Sequence, residues 1–330
     1  MAGRSAALWY VAPGRAEIRS EPLPDPGPGE VQVRTLYSGI SRGTESLVLS
    51  GRVPDSEYDR MRAPFMGGAF PFPVKHGYAA VGRVERGPGD LAGRLVFGLY
   101  PHQDAMNLPA DSVVPLPGGV PPARAVLAAN METAVNAVWD ARPGPADRIG
   151  VVGAGVVGAL VAWLCGGMPG AQVRLVDVDP RRAALARSLG IEFATPDSAP
   201  ADCDLVVHAT GMGQGLSAAL RLAGMEATVL ELSWYGNGEV PVALGGSFHS
   251  RRLKLISSQV GEVAPSHRPR WSCKRRLAAA LDLLREPKLD ALLAQPIDFR
   301  DLPARLPDIL ARESGVLCQV VRYPAAEAAT

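Results

Sequence analysis

The stretch Arg148-Ile149-Gly150-Val151-Val152-Gly153-Ala154-Gly155-Val156-Val157-Gly158 decides the fold of this chain. Its first five residues are an apolar run suited to a buried strand. Gly153, Gly155 and Gly158 then mark a Gly-x-Gly-x-x-Gly turn. An apolar helical pattern follows through Leu160, Val161, Trp163 and Leu164, and a second strand, Val173-Arg174-Leu175-Val176, ends on Asp177. Strand, glycine turn, helix, strand and terminal acid in this order form a dinucleotide-binding fingerprint. Gly153 permits the tight turn, Gly155 lets backbone approach a pyrophosphate, and Gly158 lets helix and strand pack closely. The helix start at Val156 and Val157 offers unpaired N–H groups and a positive dipole end to the phosphates. Asp177, nineteen residues beyond Gly158, is placed to accept hydrogen bonds from both adenosine ribose hydroxyls. A carboxylate there repels a 2′-phosphate, so NAD is expected. Arg181 and Arg182 follow closely and are candidates to bind that phosphate, which leaves NADP open.

Working outward, 330 residues suffice for two domains with a real core. With 34 basic and 33 acidic residues the net charge is +1, which gives no electrostatic case for nucleic acid or an anionic membrane. No apolar run reaches membrane-spanning length, and the N-terminus lacks a signal-peptide pattern. Cys165, Cys203, Cys273 and Cys318 are widely spaced and form no Cys-x-x-Cys, as expected of reduced thiols in a cytoplasmic protein. The last residues, 325–330, read as a frayed tail.

Residues 1–120 read as β-rich. Alternating patterns at 6–11 and 31–37 flank the turn-rich Pro22-Leu23-Pro24-Asp25-Pro26-Gly27-Pro28-Gly29, and short strands follow at 79–84, 94–97 and 112–116. Short strands broken by Gly and Pro suggest a small barrel. A helical pattern covers 122–139. Strands at 204–208, 228–232 and 253–257, with a helix at 183–189, continue the alternation and imply a parallel, doubly wound α/β sheet over 121–258. Residues 259–330 bring helices at 274–284 and 302–311 and a closing strand at 316–321. Their natural partner is the barrel.

This order of parts resembles the medium-chain alcohol dehydrogenase superfamily: a GroES-like β-barrel catalytic domain, a Rossmann NAD-binding domain, and a return segment completing the barrel. The residues that carry the resemblance span nearly the whole chain. Tyr37-Ser38-Gly39-Ile40-Ser41-Arg42-Gly43-Thr44-Glu45 resembles that family's Cys-Gly-Ile-Cys-Gly-Thr-Asp segment with one residue inserted. Lys75-His76-Gly77-Tyr78-Ala79-Ala80-Val81-Gly82 resembles its Gly-His-Glu-x-x-Gly segment, and Ala128-Ala129-Asn130-Met131-Glu132-Thr133 stands where a third metal ligand is usual. Thr210, Gly211, Leu232 and the pair Arg251-Arg252 fall where the family places cofactor contacts. The Ser-Gly-Ile-Ser-Arg-Gly-Thr-Glu and Asn-Met-Glu-Thr-Ala runs most resemble the bacteriochlorophyllide dehydrogenase-like branch. Relatives dimerise by pairing their last Rossmann strand across a two-fold axis, so a homodimer is expected, with 236–242 as a candidate pairing stretch.

The departures from the family decide the expected chemistry. The ligand positions hold Ser41, Tyr78, and Ala129 or, by a three-residue shift, Glu132. No cysteine-rich lobe follows Val96. Zinc wants thiolate, imidazole or carboxylate donors at three protein positions. No metal is therefore expected, catalytic or structural. Without zinc to stabilise an alkoxide, a positioned acid/base must carry the hydroxyl proton. Tyr78 is the first candidate, as a phenol of depressed pKa, or else a ring filling the vacated volume. Thr44 aligns with the family's relay hydroxyl, Glu45 with its outer carboxylate, and His76 and Ser41 complete the candidate group. His102, Tyr100, Trp234 and Tyr235 are expected to line a substrate pocket, the large rings suiting a ring-bearing substrate.

The expectation is a zinc-independent oxidoreductase moving hydride between NAD and a secondary alcohol or its ketone. A quinone- or enoyl-type reductase using NADPH, or an inactive nucleotide-binding scaffold, are the alternatives. A short-chain dehydrogenase is excluded by pattern, because none of the seven tyrosines has Lys four residues on.

Overall fold

A computed structural model of the chain describes residues 3–324; the tail expected at 325–330 lies outside them. The chain divides into two compact units, one built from residues 3–129, 281–287 and 293–324, the other from 130–280 and 288–292.

The first unit is β-rich. Its long central strand, Glu30–Ile40, pairs antiparallel with Ala80–Arg86, Ala105–Pro109 and Cys318–Arg322. Leu95–Gly98 and Val113–Pro115 extend the sheet on one side, and Leu293–Asp298 extends it on the other. The closing strand therefore returns to the barrel as the sequence implies. Inward residues Val31, Val33, Val84, Val96, Leu108 and Val113 meet in one apolar cluster, the burial that alternating strands provide. A second sheet pairs Gly3–Ala12 with Arg15–Leu23 and Val74–Lys75. Arg15–Leu23 is a strand that the sequence does not announce. Its residues Arg15-Ala16-Glu17-Ile18-Arg19-Ser20-Glu21 show no apolar alternation, because most of them stay at least partly exposed. The helix Arg42–Leu49 is likewise unforeseen; it starts inside the motif that carries the family resemblance and buries Glu45, Leu47, Val48 and Leu49.

The second unit is a six-stranded parallel sheet. Its order is Glu192–Ala194, Gln172–Val176, Arg148–Val152, Cys203–His208, Ala223–Glu231, Lys254–Ser257. The chain runs outward from Arg148–Val152 in one direction, then crosses back and builds in the other. This is the doubly wound arrangement with its switch point between Arg148–Val152 and Cys203–His208. The helices Val156–Gly166, Arg182–Leu189 and Gly213–Leu222 follow their strands. Two glycines in the first turn of Gly213–Leu222 hide it from a propensity reading, yet Leu216, Ala219 and Leu220 give it a buried face.

Residues 259–280, grouped by sequence with the barrel's return segment, pack instead with the parallel-sheet unit. The cause is Arg276 on the helix Cys273–Leu283, 1% exposed, whose guanidinium bonds Glu132, Asn136 and the carbonyls of Val260 and Glu262. A buried cation with four such partners holds its helix where they are.

Candidate active site

Three groups of side chains concentrate the polar chemistry. The first is the glycine turn of the parallel sheet. Gly153 has φ +112°, and a Cβ on it would stand 2.8 Å from the carbonyl of Ala209. A Cβ at Gly158 would fall 1.9 Å from the carbonyl of Gly153, so only glycine lets the helix Val156–Gly166 start this close to the turn. Gly155 is exposed, with Val156 and Val157 half-buried behind it. The helix has no side-chain cap, so its first N–H groups are free of that partner. Asp177 closes the cradle: its Oδ2 accepts from Ala154 N at 2.7 Å, and its Oδ1 from Asp179 N at 2.9 Å. A carboxylate has lone pairs to spare beyond these two bonds. Asp179 in turn holds Arg181, whose Nε donates at 2.8 Å, and stands 4.0 Å from Arg182 Nε. Both arginines thus face a carboxylate.

The second group lies at the carboxyl ends of the strands, where open α/β sheets bind ligands. His208 ends its strand directly across from Val152 on one side and Glu231 on the other. Glu231 Oε2 lies 2.8 Å from His208 Nδ1, and His208 Nε2 lies 2.6 Å from Thr210 Oγ1. Ser233 N donates to Glu231 Oε1 at 2.7 Å, and Tyr235 OH donates to Glu231 Oε2 at 2.9 Å. Gly211 N donates to Ser233 Oγ at 3.0 Å, and Leu232 N to the carbonyl of His208 at 2.9 Å. Burial pushes the Glu231 carboxyl up, but hydrogen bonds from His208 and Ser233 outweigh it and hold the group below its usual range. Thr210, Gly211, Leu232 and Tyr235 are therefore brought together. Glu231 is the residue of this group that sequence reasoning misses. Trp234 is half-buried beside them. Arg251 and Arg252, expected among the cofactor contacts, sit instead at the amino end of Ala223–Glu231. Arg251 Nη1 donates to the carbonyl of Ala223, and Arg252 pairs with Glu226.

The third group is in the barrel. Glu45, 1% exposed, receives Ser41 N at 2.7 Å on Oε1 and Tyr10 OH at 2.6 Å on Oε2. His102 Nε2 stands 3.1 Å from the same Oε2, its Nδ1 2.8 Å from Ser38 Oγ, and Ser38 Oγ 3.0 Å from Tyr323 OH. One assignment satisfies every atom: Tyr323 donates to Ser38, Ser38 to Nδ1, and Nε2–H to the carboxylate. Burial pushes the Glu45 carboxyl up; His102 and Tyr10 beside it outweigh this and hold the group below its usual range. Tyr78 OH donates to Ser41 Oγ at 2.6 Å, and Thr44 also bonds the phenol. Burial nonetheless pushes the phenol up to about 12, the reverse of the depression expected from sequence. His76 is buried edge-on to Tyr78 with ring centroids 5.8 Å apart, and among the described residues its Nδ1 has no hydrogen-bond partner. Burial lowers its pKa to about 4.

Comparison with known proteins places this architecture. No family model matches the chain. It is 32% identical over 196 residues to a 2-desacetyl-2-hydroxyethyl bacteriochlorophyllide A dehydrogenase of Rhodobacter capsulatus, a match covering 54% of this chain and 57% of that one. A protein of the same name from Cereibacter sphaeroides is 32% identical over 91 residues, 28% of this chain and 25% of its own. The matches thus span little more than half the length of these relatives at most. Among solved structures, L-idonate 5-dehydrogenase of Escherichia coli K-12 superposes with a TM-score of 0.78 at 13% identity, covering 98% of this chain and 99% of the other. A proposed zinc-binding dehydrogenase of Sinorhizobium meliloti 1021, solved with NADP, gives a TM-score of 0.76 at 17% identity over 97% and 99%. The chain therefore has the fold of these dehydrogenases and, over 54% of its length, sequence similarity to the bacteriochlorophyllide dehydrogenase of Rhodobacter capsulatus.

Medium-chain dehydrogenases commonly carry zinc in the barrel, and the residues here do not fit it. Ser41 Oγ is taken up by Tyr78 OH, Ala129 offers only a methyl group, and Glu132 is paired with Arg276 Nε at 3.0 Å. Among the described residues no group of three or more His, Cys, Asp or Glu is placed to hold a metal ion. Two residues expected to line a substrate pocket do something else. Tyr100 is fully buried in the barrel core, its OH 3.1 Å from Thr35 Oγ1. His102 is 1% exposed and locked between Glu45 and Ser38.

Proposed function

We propose that this chain is a zinc-independent, NAD-dependent oxidoreductase that interconverts a secondary alcohol and its ketone on a ring-bearing substrate. The observation that carries the reading is the hydroxyl pair Tyr78–Ser41, 2.6 Å apart, at the positions where relatives would carry metal ligands. The names of the relatives and structural neighbours described above are those of dehydrogenases and support the reaction class. Gly153, Gly155, Gly158 and Asp177 would hold the cofactor, with Thr210, Gly211 and Leu232 toward its other half. Bound nicotinamide would supply the hydride acceptor or donor.

The protein's own part is the proton. A phenol raised to about 12 is neutral at physiological pH, so Tyr78 acts as a proton donor. In ketone reduction its hydroxyl gives the proton to the developing alkoxide, whose basicity exceeds that of a phenolate. Ser41 and Thr44 hold the phenol oxygen in place, and Glu45, held by Tyr10 and His102, fixes the backbone of Ser41. Selectivity for NAD has support in the same terms. Asp177 would repel a 2′-phosphate, and Asp179 engages the arginines that would otherwise receive it.

Elemental analysis, paired with NADH and NADPH titrations of one purified sample, tests the proposal. Tighter NADH binding and zinc well below one equivalent are expected. A full equivalent of zinc would defeat the metal-free mechanism, and tighter NADPH binding would move an NADPH-dependent reductase ahead of it.

A further inference from the structure

The parallel-sheet unit contains an ionisable pair, a buried His208 and a half-buried Glu231, that the mechanism above does not use. We propose that His208 and Glu231 form a positioning dyad that shapes the half of the dinucleotide site beyond the pyrophosphate. The inference rests on the nucleotide-binding reading and deepens it.

The argument begins with register. Val152, His208, Glu231 and Ser257 stand in one row across four parallel strands, at or next to their carboxyl ends. Gly153 follows the first of these directly. The dyad is therefore one strand away from the glycine turn, on the side to which the sheet crosses at its switch point. Side chains in register on neighbouring parallel strands share a face, which is why the imidazole and carboxylate meet at 2.8 Å. Each then reaches forward into the loop that leaves its own strand. Nε2 of His208 takes Thr210 Oγ1 at 2.6 Å, and Glu231 takes Ser233 N at 2.7 Å and Tyr235 OH at 2.9 Å. Gly211 N to Ser233 Oγ, 3.0 Å, ties the two loops together.

The loops alone have little to fix them. Gly211 has φ +67° and is exposed, and residues 232–236 have no regular structure. Their shape is set by the dyad. His208 is itself fully buried, and a Cβ on Gly215 would come 2.6 Å from its Nε2, so the start of the helix Gly213–Leu222 covers it. An imidazole sealed in this way acts through Thr210 and Glu231 rather than on a ligand, which makes it a positioning residue. Nδ1–H donates to the carboxylate, Nε2 meets the Thr210 hydroxyl, and that hydroxyl is held in turn by Met212, accepting from its N at 3.0 Å. The ligand half that such an edge receives is flat and polar at its rim, as the nicotinamide riboside is. The adenosine half belongs to Asp177 on the other side of the turn.

Two ligands separate this role from a general structural one. NADH fills both halves of the site, whereas ADP-ribose lacks the nicotinamide ring. Both are titrated into the full chain and into His208→Phe and Glu231→Gln, the second preserving size and an acceptor where the first risks misfolding. Thermal unfolding of each variant is recorded alongside. NADH affinity is expected to fall about tenfold or more in both variants, the scale that one or two hydrogen bonds contribute, while ADP-ribose binding stays within about twofold. His208→Gln, which keeps a donor and an acceptor, is expected to recover part of the NADH affinity. Equal losses for both ligands, or none for either, would overturn the proposal. If the unaltered chain bound ADP-ribose but not NADH, the dyad would have no nicotinamide half to shape. If it bound neither, the nucleotide reading itself would fall.

Discussion

Tyr78 and His76 show how burial, against opposing neighbours, can dominate the chemistry of single residues. The phenol is raised to about 12, so phenolate is scarce near neutral pH, and the proposed mechanism uses Tyr78 as an acid. Replacing it by Phe is expected to lower the rate of ketone reduction by about 10²- to 10⁴-fold, the usual worth of a positioned acid. NADH affinity should not move, because the phenol is not part of the glycine cradle. Parallel kinetic and binding assays check this, and a fully active Tyr78→Phe protein would reduce the ring to a space-filler. His76 has the opposite consequence. Its pKa is lowered from 6.5 to about 4 because burial penalises the imidazolium, and Nδ1 has no partner among the described residues to relieve it. A depressed pKa means that the unfolded chain binds the proton first. The stability that neutral His76 contributes is thus complete above pH 6.5 and is lost as pH falls toward about 4. Full protonation would cost on the order of 3 kcal/mol by linkage. Denaturant melts of the wild type and His76→Phe across that window should show a shallower acid decline in the variant; identical slopes would mean that other groups carry it.

At the scale of elements, the glycine turn is the clearest case of sequence dictating shape. Gly158→Ala places a methyl group 1.9 Å from the carbonyl of Gly153, and backbone cannot yield as a side-chain tip can. The helix Val156–Gly166 must retreat, at about 1–3 kcal/mol for an overpacked contact. NADH binding is expected to fall by more than tenfold, since the helix start and the turn separate together. An isothermal titration with normal affinity would show that the turn does not receive the phosphates. This element is legible because its signal is local: spacing, periodicity and a terminal acid all lie within 148–177. The barrel strands are legible where they alternate, as in Glu30–Ile40, and invisible where they are largely exposed, as in Arg15–Leu23. Glu231 escapes for another reason. Nothing near it in sequence marks it, and its meaning comes from His208, 23 residues earlier, on the neighbouring strand. The direction of the Tyr78 shift also depends on how deeply the ring is buried, which spacing does not encode. The resemblance places Tyr78, Ser41, Thr44 and Glu45 in one region, and their bonds join them, but it does not show that the connection between Leu95–Gly98 and Ala105–Pro109 buries both Tyr100 and His102.

At the scale of the whole molecule, the parallel sheet ends in an open, apolar edge. Lys254–Ser257 pairs with 228–231 on one side, and all four of its residues are exposed. Leu255 and Ile256 are each 37% exposed there, an apolar pair on an open strand. The opposite edge, Glu192–Ala194, is only three residues long and ends in a buried alanine. Short edges resist pairing, whereas open apolar ones invite it. The stretch 236–242, expected from sequence to pair across a two-fold axis, carries no strand. For the homodimer expected from sequence, Lys254–Ser257 is the strand to test, with two copies joined antiparallel about the axis. Such a contact would satisfy the outward N–H and C=O groups of both copies and cover Leu255 and Ile256 together. Sedimentation velocity at micromolar concentration should give a dimer for the wild type. Ile256→Lys puts a like charge on each side of the axis and should shift the boundary to a monomer without unfolding either unit, as seen by an unchanged circular dichroism spectrum. A monomeric wild type would remove the dimer, and a variant that stays dimeric would move the contact to another surface.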